Sequence, residues 1–291
     1  MVKALCKDEC MKIALTGSSG KLGKTVAREL RSAGYTVIGM DIIGERGPEF
    51  VEVDFRDYGQ VVDAFTAVGD RHDGIDAVVH LAAIPAPGIR SDVATFHNNM
   101  AATFNVFWAA TRLGISRIVA ASSETVQGLP FDTPPPYIPV DEAYPPRPES
   151  VYSLVKTLEE RMAVELVRWN PQLSLTALRF SNVMDVDDYA AFPSFDSDAL
   201  ARKWNLWAYI DGRDGALAIQ RALENAKPGF DHFLIANADT VMSRPNAELI
   251  AEVFPDVPVT RELADNETLF DITKAREVLG WEPQHSWRDH V

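Results

Sequence analysis

Cysteine is almost missing from this chain of 291 residues: Cys6 and Cys10 are the only two. Both precede the first convincing structural segment, which begins with "MKIALTG" at Met11. So few cysteines leave room for at most one disulfide or a two-ligand metal site, and two in a frayed leader with no nearby histidine most often do neither. Residues 1–10 read as an unstructured leader, and Met11 would serve as an alternative start. Long apolar runs are lacking too. The longest, "IDAVVHLAAIPAP" from Ile75, carries Asp76 and His80 and falls short of the roughly 20 residues a membrane span needs. The N-terminus has neither the apolar core nor the small-residue cleavage site of a secretion signal, so a cytoplasmic location is expected. Basic clusters are absent, and 28 Lys and Arg against 42 Asp and Glu give a net charge of -14, which disfavours nucleic acid as a partner. The six histidines form no ligand spacing, so no metal is expected. What remains is 46% apolar sequence, normal for a packed globular chain.

That apolar sequence arrives in a regular rhythm. "KIALTG" reads as a strand, "KTVARELRSAG" as a helix and "YTVIGMD" as a strand. "FVEVDF", "YGQVVDAFTAV", "IDAVVHLAA", "DVATFHNNMAATFNVFWAATRLG" and "ISRIVAASS" continue the alternation. Near-continuously apolar strands alternating with helices predict an α/β fold, a doubly wound parallel sheet covered on both faces. Eight prolines between Leu129 and Pro148 mark a loop, because proline cannot supply the backbone donors of a helix or central strand. A helix is expected over about 150–169, then a strand at "LSLTALRFS", an irregular segment over 183–206, and "WAYIDGRDGALAIQRALE" as a strand leading into a helix. "HFLIANA" reads as a last strand, and "SRPNAELIAEVF" and "DITKAREVLGW" as short helices.

"TGSSGKLG" places Gly17, Gly20 and Gly23 between the first strand and first helix. That spacing permits a tight turn, close approach of amides to a pyrophosphate, and seating of the helix with its N-terminus toward the anion. The second strand ends at Asp41, where a carboxylate can accept from both ribose hydroxyls and repel a 2'-phosphate. NAD is thus favoured over NADP, although Arg46 leaves room for the latter.

"VYSLVK" puts Tyr152 and Lys156 one helical turn apart. A free phenol has a pKa near 10, so half-ionising it at neutral pH requires about 4 kcal/mol of preferential stabilisation of the phenolate. A lysine ammonium on the same helix face, with a cationic nicotinamide, can supply part of that, and a phenol so poised can exchange a proton with a substrate alcohol as hydride moves.

Taken together, "TGSSGKLG", "VVHLAA", "NMAATFN", "ASS" and "YSLVK" resemble the extended branch of the short-chain dehydrogenase/reductase superfamily, and "KAREVLGWEP" resembles that branch's closing signature. The resemblance runs from residue 12 nearly to the C-terminus. It implies a Rossmann-type domain over 11–181 and 207–238, with a small C-terminal substrate-binding region over 182–206 and 239–291. It implies Ser123 as the hydroxyl that holds the substrate oxygen, Tyr152 as the acid/base, and Lys156 as the group that binds the nicotinamide ribose and depresses the tyrosine pKa. Lys21 and Leu22 would donate backbone amides to the pyrophosphate, Asp54 and Phe55 would flank the adenine, and Leu81, Ala82 and Ala83 would line the cofactor. Asn99 would lie beneath the site with the cofactor residues, Phe180 near the nicotinamide, and Glu124, Thr125 and Asn182 on the substrate side. His80 becomes structural.

Departures from the family narrow the substrate. Gln127 stands where many members acting on nucleotide sugars have tyrosine. Glu124 and Thr125 replace the Asp-Glu pair of dehydratases, and one carboxylate does not suffice to expel water. Only about two dozen residues separate "LRFSNV" from "WAYIDGRDG", too few for the long lid of nucleotide-sugar epimerases. The compact C-terminal region instead resembles uronate dehydrogenases, although these carry asparagine where Glu124 stands. Arg202 and Lys203 are the basic residues of the short segment, where a solvated pair is expected in preference to a carboxylate receptor. The expectation is an NAD-dependent dehydrogenase acting on a small sugar, sugar acid or polyol. The alternatives are a nucleotide-sugar 4-epimerase with tightly bound NAD and a noncatalytic dinucleotide sensor. The helices over about 92–113 and 150–169 suggest a homodimer through a four-helix bundle, using Leu154, Leu158 and Met162, which core packing explains equally well.

Overall fold

The structure, a computed structural model, describes residues 11–66 and 74–290. The leader with Cys6 and Cys10, the last residues of the helix expected to end at Val68, His72 and Val291 lie outside the described residues.

Seven strands form one parallel sheet: β1 (Lys12–Thr16), β2 (Thr36–Asp41), β3 (Phe50–Glu52), β4 (Ala77–His80), β5 (Arg117–Ser123), β6 (Ser174–Phe180) and, after two short strands named below, β9 (Gly229–Ile235). Their spatial order is β3-β2-β1-β4-β5-β6-β9. The register pairs Leu15 with Gly39 on one side and with Val79 on the other. The apolar runs read from the sequence are buried on both faces, as a sheet covered by helices requires. Helices α1 (Lys21–Ser32) and α5 (Gly212–Asn225) pack on one face, where Ile13, Leu15, Val26, Leu30, Ile219 and Leu223 share a core. On the other lie α2 (Tyr58–Thr66), α3 (Asp92–Arg112) and α4 (Val151–Trp169), enclosing Ala14, Ile38, Val78, Val106 and Ala163. Strand order reverses between β1 and β4, so the loops leaving β1 and β4 part there and open a crevice at the carboxyl edge of the sheet.

Three expectations change in detail. "IDAVVHLAA" is a strand only over Ala77–His80, because the amides of Leu81 and Ala82 turn to the Thr16 hydroxyl. The strand expected in "WAYID" is confined to β8 (Ile210–Asp211), which pairs with β7 (Val183–Met184), while Trp207 and Tyr209 are buried in the core. "DITKAREVLGW" contributes a single wide turn, Ala275–Leu279, ended by Gly280 in the left-handed region. The segment between β7 and β8 is two runs of tight turns, Val186–Ser197 and Ala199–Asn205, closed over Tyr189 and Phe192 against Tyr209 and Trp287.

The proline-rich stretch is a loop, as its composition requires, but it is stitched in place. Val140 donates to Leu269 and accepts from Asp271, and Ile138 donates to Pro258 and accepts from Thr260. The remaining helix, α6 (Asn246–Val253), belongs to the same C-terminal region. Farther on, the buried Asp214 of α5 receives the amides of Gln284 and His285. The core beside α1 and α5 extends without a break through Trp207, Phe254, Trp281 and Trp287.

Candidate active site

The crevice is a cleft of about 1360 Å³ that runs from the glycine loop to the start of α4. Its first half is shaped by backbone. Gly17 has φ +70, and a Cβ there would come within 2.7 Å of the Leu81 and Ala82 backbone. A Cβ on Gly23 would overlap the Gly17 carbonyl oxygen. These two glycines let β1, the loop after β4 and α1 close together, leaving the start of α1 at the cleft with no Cβ at Gly20. Asp41 ends β2 with one carboxylate oxygen accepting from the Ser19 amide (3.0 Å) and the other from the Ile42 amide (2.7 Å). Asp54 holds Arg56 in a forked pair, and the Arg56 hydrogen bond keeps the carboxyl below its ordinary value.

The second half is shaped by side chains. Ser150 caps α4, its hydroxyl accepting from the Ser153 amide while Ser153 Oγ accepts from the Ser150 amide. The cap fixes where the helix starts, and so puts Tyr152 and Lys156 on successive turns of one face. Ser123 ends β5; its Oγ accepts from the Thr125 amide and hydroxyl (3.2 and 3.0 Å), and its hydrogen bonding favours the ionised form of Tyr152. Lys156 donates to the Ala121 carbonyl (2.9 Å) and to Glu159 Oε2 (2.8 Å). Tyr152, Lys156 and Ser123 are all buried.

Burial pushes the Tyr152 phenol up; Lys156 pulls against it, Glu159 and Glu124 reinforce it, and the net position lies above an ordinary tyrosine. Burial presses the Lys156 ammonium toward neutrality, but Glu159, Tyr152 and Glu160 outweigh it and hold lysine above its ordinary value. The expected depression of the phenol by its lysine is therefore present as a contribution and is outweighed by burial among the protein groups.

Glu124 is buried next to Ser123. It accepts from Ser181 Oγ (2.5 Å) and Asn205 Nδ2 (3.2 Å), and burial pushes its carboxyl up to about 8, so it is neutral at pH 7 and can itself donate. Beneath the site, Glu160 accepts a two-pronged contact from Arg179 (2.9 and 2.7 Å) and a bond from Ser122 (2.6 Å). This clamps α4 to β5 and β6.

Of the expected site residues, all but one line this cleft, including Lys21, Leu22, Phe55, Leu81, Ala82, Ala83, Phe180, Thr125 and Asn182. Asn99 does not. It is fully buried, with its side-chain oxygen accepting from the Ile84 amide (2.8 Å) and its nitrogen donating to the Ile84 carbonyl (3.0 Å), so it shapes the loop after β4 from beneath the cleft. Its neighbour Asn98 lines the cleft. The expectation of a solvated Arg202 is also overturned: that guanidinium is buried, donates to Asn182 Oδ1 and the Ala208 carbonyl, and packs over Phe195 and Trp204. Lys203 pairs with Asp132 (3.2 Å). His80 is interior, both ring nitrogens bonded to threonine hydroxyls, with burial lowering it to about 3. Sequence reasoning missed Arg90, Asn98, Ile42, Ile43 and Trp204 at the cleft. Two consecutive isoleucines directly after Asp41, 51% and 71% exposed, were a readable sign of an apolar surface at the strand end. Among the described residues no cluster of His, Cys, Asp or Glu could hold a metal, and no helix is long and apolar enough to cross a membrane.

A doubly wound sheet whose switch-point crevice joins a glycine loop to a Tyr-Lys-Ser group defines a short-chain dehydrogenase/reductase. The chain belongs to the NAD dependent epimerase/dehydratase family, which it matches over residues 13–236. It is 28% identical to the UDP-glucose 4-epimerase of Bacillus subtilis, over 59% of this chain and 52% of that one. It is 33% identical to the L-arabinose 1-dehydrogenase (NAD(P)(+)) of Haloferax volcanii, over 52% of this chain and 59% of that one. The chain thus spans little more than half the length of these two relatives. A solved short-chain dehydrogenase/reductase superfamily protein from Agrobacterium tumefaciens, with bound NAD, superposes with a TM-score of 0.69 at 25% identity, covering 95% of this chain and 94% of that one. UDP-glucose 4-epimerases recur among further matches.

Proposed function

We propose that this chain performs Tyr152-assisted hydride exchange at a sugar hydroxyl, in the manner of a nucleotide-sugar 4-epimerase. The observation that carries the chemistry is the convergence of Ser123, Tyr152 and Lys156 in one cleft with the glycine loop. Its volume of about 1360 Å³ exceeds the roughly 300–1,000 Å³ of ordinary ligand pockets, and so suits a dinucleotide together with a substrate. The cofactor fits: Gly17 and Gly23 leave the space a pyrophosphate backbone contact needs, Asp41 presents a carboxylate at the ribose end, and Lys156 retains a donor for the nicotinamide ribose.

NAD, when bound, supplies the hydride acceptor. Ser123 holds the substrate hydroxyl oxygen, Lys156 steadies Tyr152 as the phenolate, and that phenolate takes the hydroxyl proton as the carbon is oxidised and becomes the neutral phenol. The neutral carboxyl of Glu124 offers a hydrogen bond to the sugar beside the reacting carbon. In the epimerase mode Tyr152 returns the proton after the sugar turns over, and no NADH accumulates. The recurrence of 4-epimerases among the relatives favours this mode over the net dehydrogenase expected from the sequence. Arg90 adds to it, since this cleft-lining cation has no carboxylate partner among the described residues and suits a diphosphate.

One observation keeps the dehydrogenase as a second reading. The segment after Asn182 folds onto its own aromatic core and spends Arg202 on Asn182, so within it only Val183 and Trp204 reach the cleft, a short cover for a nucleotide. Incubation with NAD and, separately, UDP-hexoses and free sugars or uronates separates the two. Interconversion of UDP-hexoses without NADH supports the epimerase; net NADH from a free sugar supports the dehydrogenase and overturns it.

We further infer a cytoplasmic homodimer. Its support is an apolar face on α3 and α4, where Val93, Phe104, Leu154 and Trp169 are exposed while Leu158 and Met162 are half-buried. Sedimentation at micromolar concentration tests it, and a monomer would refute it.

A further inference from the structure

A second carboxylate sits behind the catalytic lysine, and the reading above gives it no task. Glu159, on the turn of α4 after Lys156, is buried and accepts from two donors: Lys156 Nζ at 2.8 Å and Thr103 Oγ1 of α3 at 2.8 Å. The bonds beyond Thr103 have a determined direction. Thr16 Oγ1 accepts from the amides of Leu81 and Ala82 (3.1 and 3.2 Å), so its own proton goes to His80 Nδ1 at 2.8 Å. His80, neutral because of burial, then carries its proton on Nε2 and donates to Thr103 Oγ1 at 3.1 Å. Thr103 donates onward to Glu159. Every proton in this line points away from the cofactor-lining loop at Leu81 and Ala82 and toward one carboxylate, which therefore acts as an acceptor only.

Resting on the acid/base role assigned to Tyr152, we propose that Glu159 is a positioning residue: it anchors the Lys156 ammonium and offsets its charge, thereby setting the pH range in which Tyr152 can accept the substrate proton. The lysine has three donors; the Ala121 carbonyl and Glu159 take two, so the ammonium has one left for a ribose and little freedom to move. The charge effect has a definite sign. Lys156 favours the phenolate and Glu159 opposes it. The other ionisable groups around the phenol do not replace Glu159. Glu160 on α4 is committed to Arg179 of β6, Glu124 after β5 raises the phenol in its own right but bonds Ser181 and Asn205 and does not anchor Lys156, and His80 of β4 is uncharged.

The test uses the full chain with Glu159→Gln, which keeps an oxygen for Lys156 and removes the charge. Ionisation of Tyr152 is read from tyrosinate absorbance with the Tyr152→Phe spectrum subtracted, with and without NAD, and alongside the pH profile of turnover. Both midpoints should fall by about one pH unit, the low end of what one charge at this range produces, while NAD affinity changes less than threefold. Glu159→Asp, with its charge farther from Nζ, should give a smaller fall in the same direction and serves if the glutamine variant does not fold. Unchanged or raised midpoints in a folded, NAD-binding variant would overturn the proposal. If no sugar is turned over, the functional reading fails by itself, and the absorbance titration still decides the role of Glu159.

Discussion

The two halves of the cleft are built by different means. Around the glycine loop the determinants are backbone shape and the lack of Cβ atoms: Gly17 in the left-handed region, Gly23 against the Gly17 carbonyl, and amides presented at the start of α1. Around Ser123 and Tyr152 the determinants are buried side chains that bond one another across long sequence distances, as Glu124 does with Ser181 and Asn205, and Glu160 with Arg179. A backbone-built site tolerates little change in residue size and depends weakly on pH. A side-chain site tolerates isosteric exchange and carries its function in protonation states.

That contrast can be broken from either side. Of three substitutions that probe the contrast itself, Gly17→Ala should have the largest effect, because a Cβ would meet the Leu81 and Ala82 backbone at 2.7 Å in a backbone conformation costing roughly 1–3 kcal/mol for a non-glycine residue. Calorimetry should show NAD binding weakened by about tenfold or more. Wild-type affinity would mean that the loop is not the cofactor seat.

Glu124→Gln should act next, and through pH. The folded value of about 8 lies above the ordinary 4.5, so between those values the folded chain holds a proton that the unfolded chain has released. The contribution of Glu124 to stability therefore worsens as pH rises from about 4.5 to about 8 and is constant above that. The variant should melt progressively higher than wild type across that window, with no such trend below it. A difference in melting temperature independent of pH would show that Glu124 is ionised throughout.

Arg90→Ala should be the mildest. It should raise KM by about threefold for a UDP-sugar, as suits one exposed charge, and leave a neutral sugar unaffected. Equal effects on both would remove Arg90 from substrate recognition.

The same contrast explains how far the sequence could be read. Gly17, Gly20, Gly23 and Asp41 were legible because local spacing between a strand and a helix dictates their geometry. Tyr152 and Lys156 were legible because a helix of period 3.6 puts them on one face, and the Ser150 cap fixes the phase. The bonds of Asn99 were not legible because its partner, Ile84, lies in a loop whose path is not encoded locally. Arg202 was misplaced for a related reason: its burial depends on Phe195, Trp204 and Asn182 meeting only when β7 and β8 pair. The strand after Trp207 was legible but its pairing with β7 was not, because an apolar run does not say which sheet it joins. Glu159 escaped notice as well, since two consecutive glutamates on a helix read as a solvated face until α3 is seen to cover one of them.

The most direct measurement compares wild type and Tyr152→Phe for NAD affinity and for turnover of whichever sugar the panel identifies. Removing one phenolic oxygen should leave NAD affinity within about twofold and lower kcat by roughly 10²–10⁴, the range for a lost acid/base group. Turnover that survives the substitution would contradict the account.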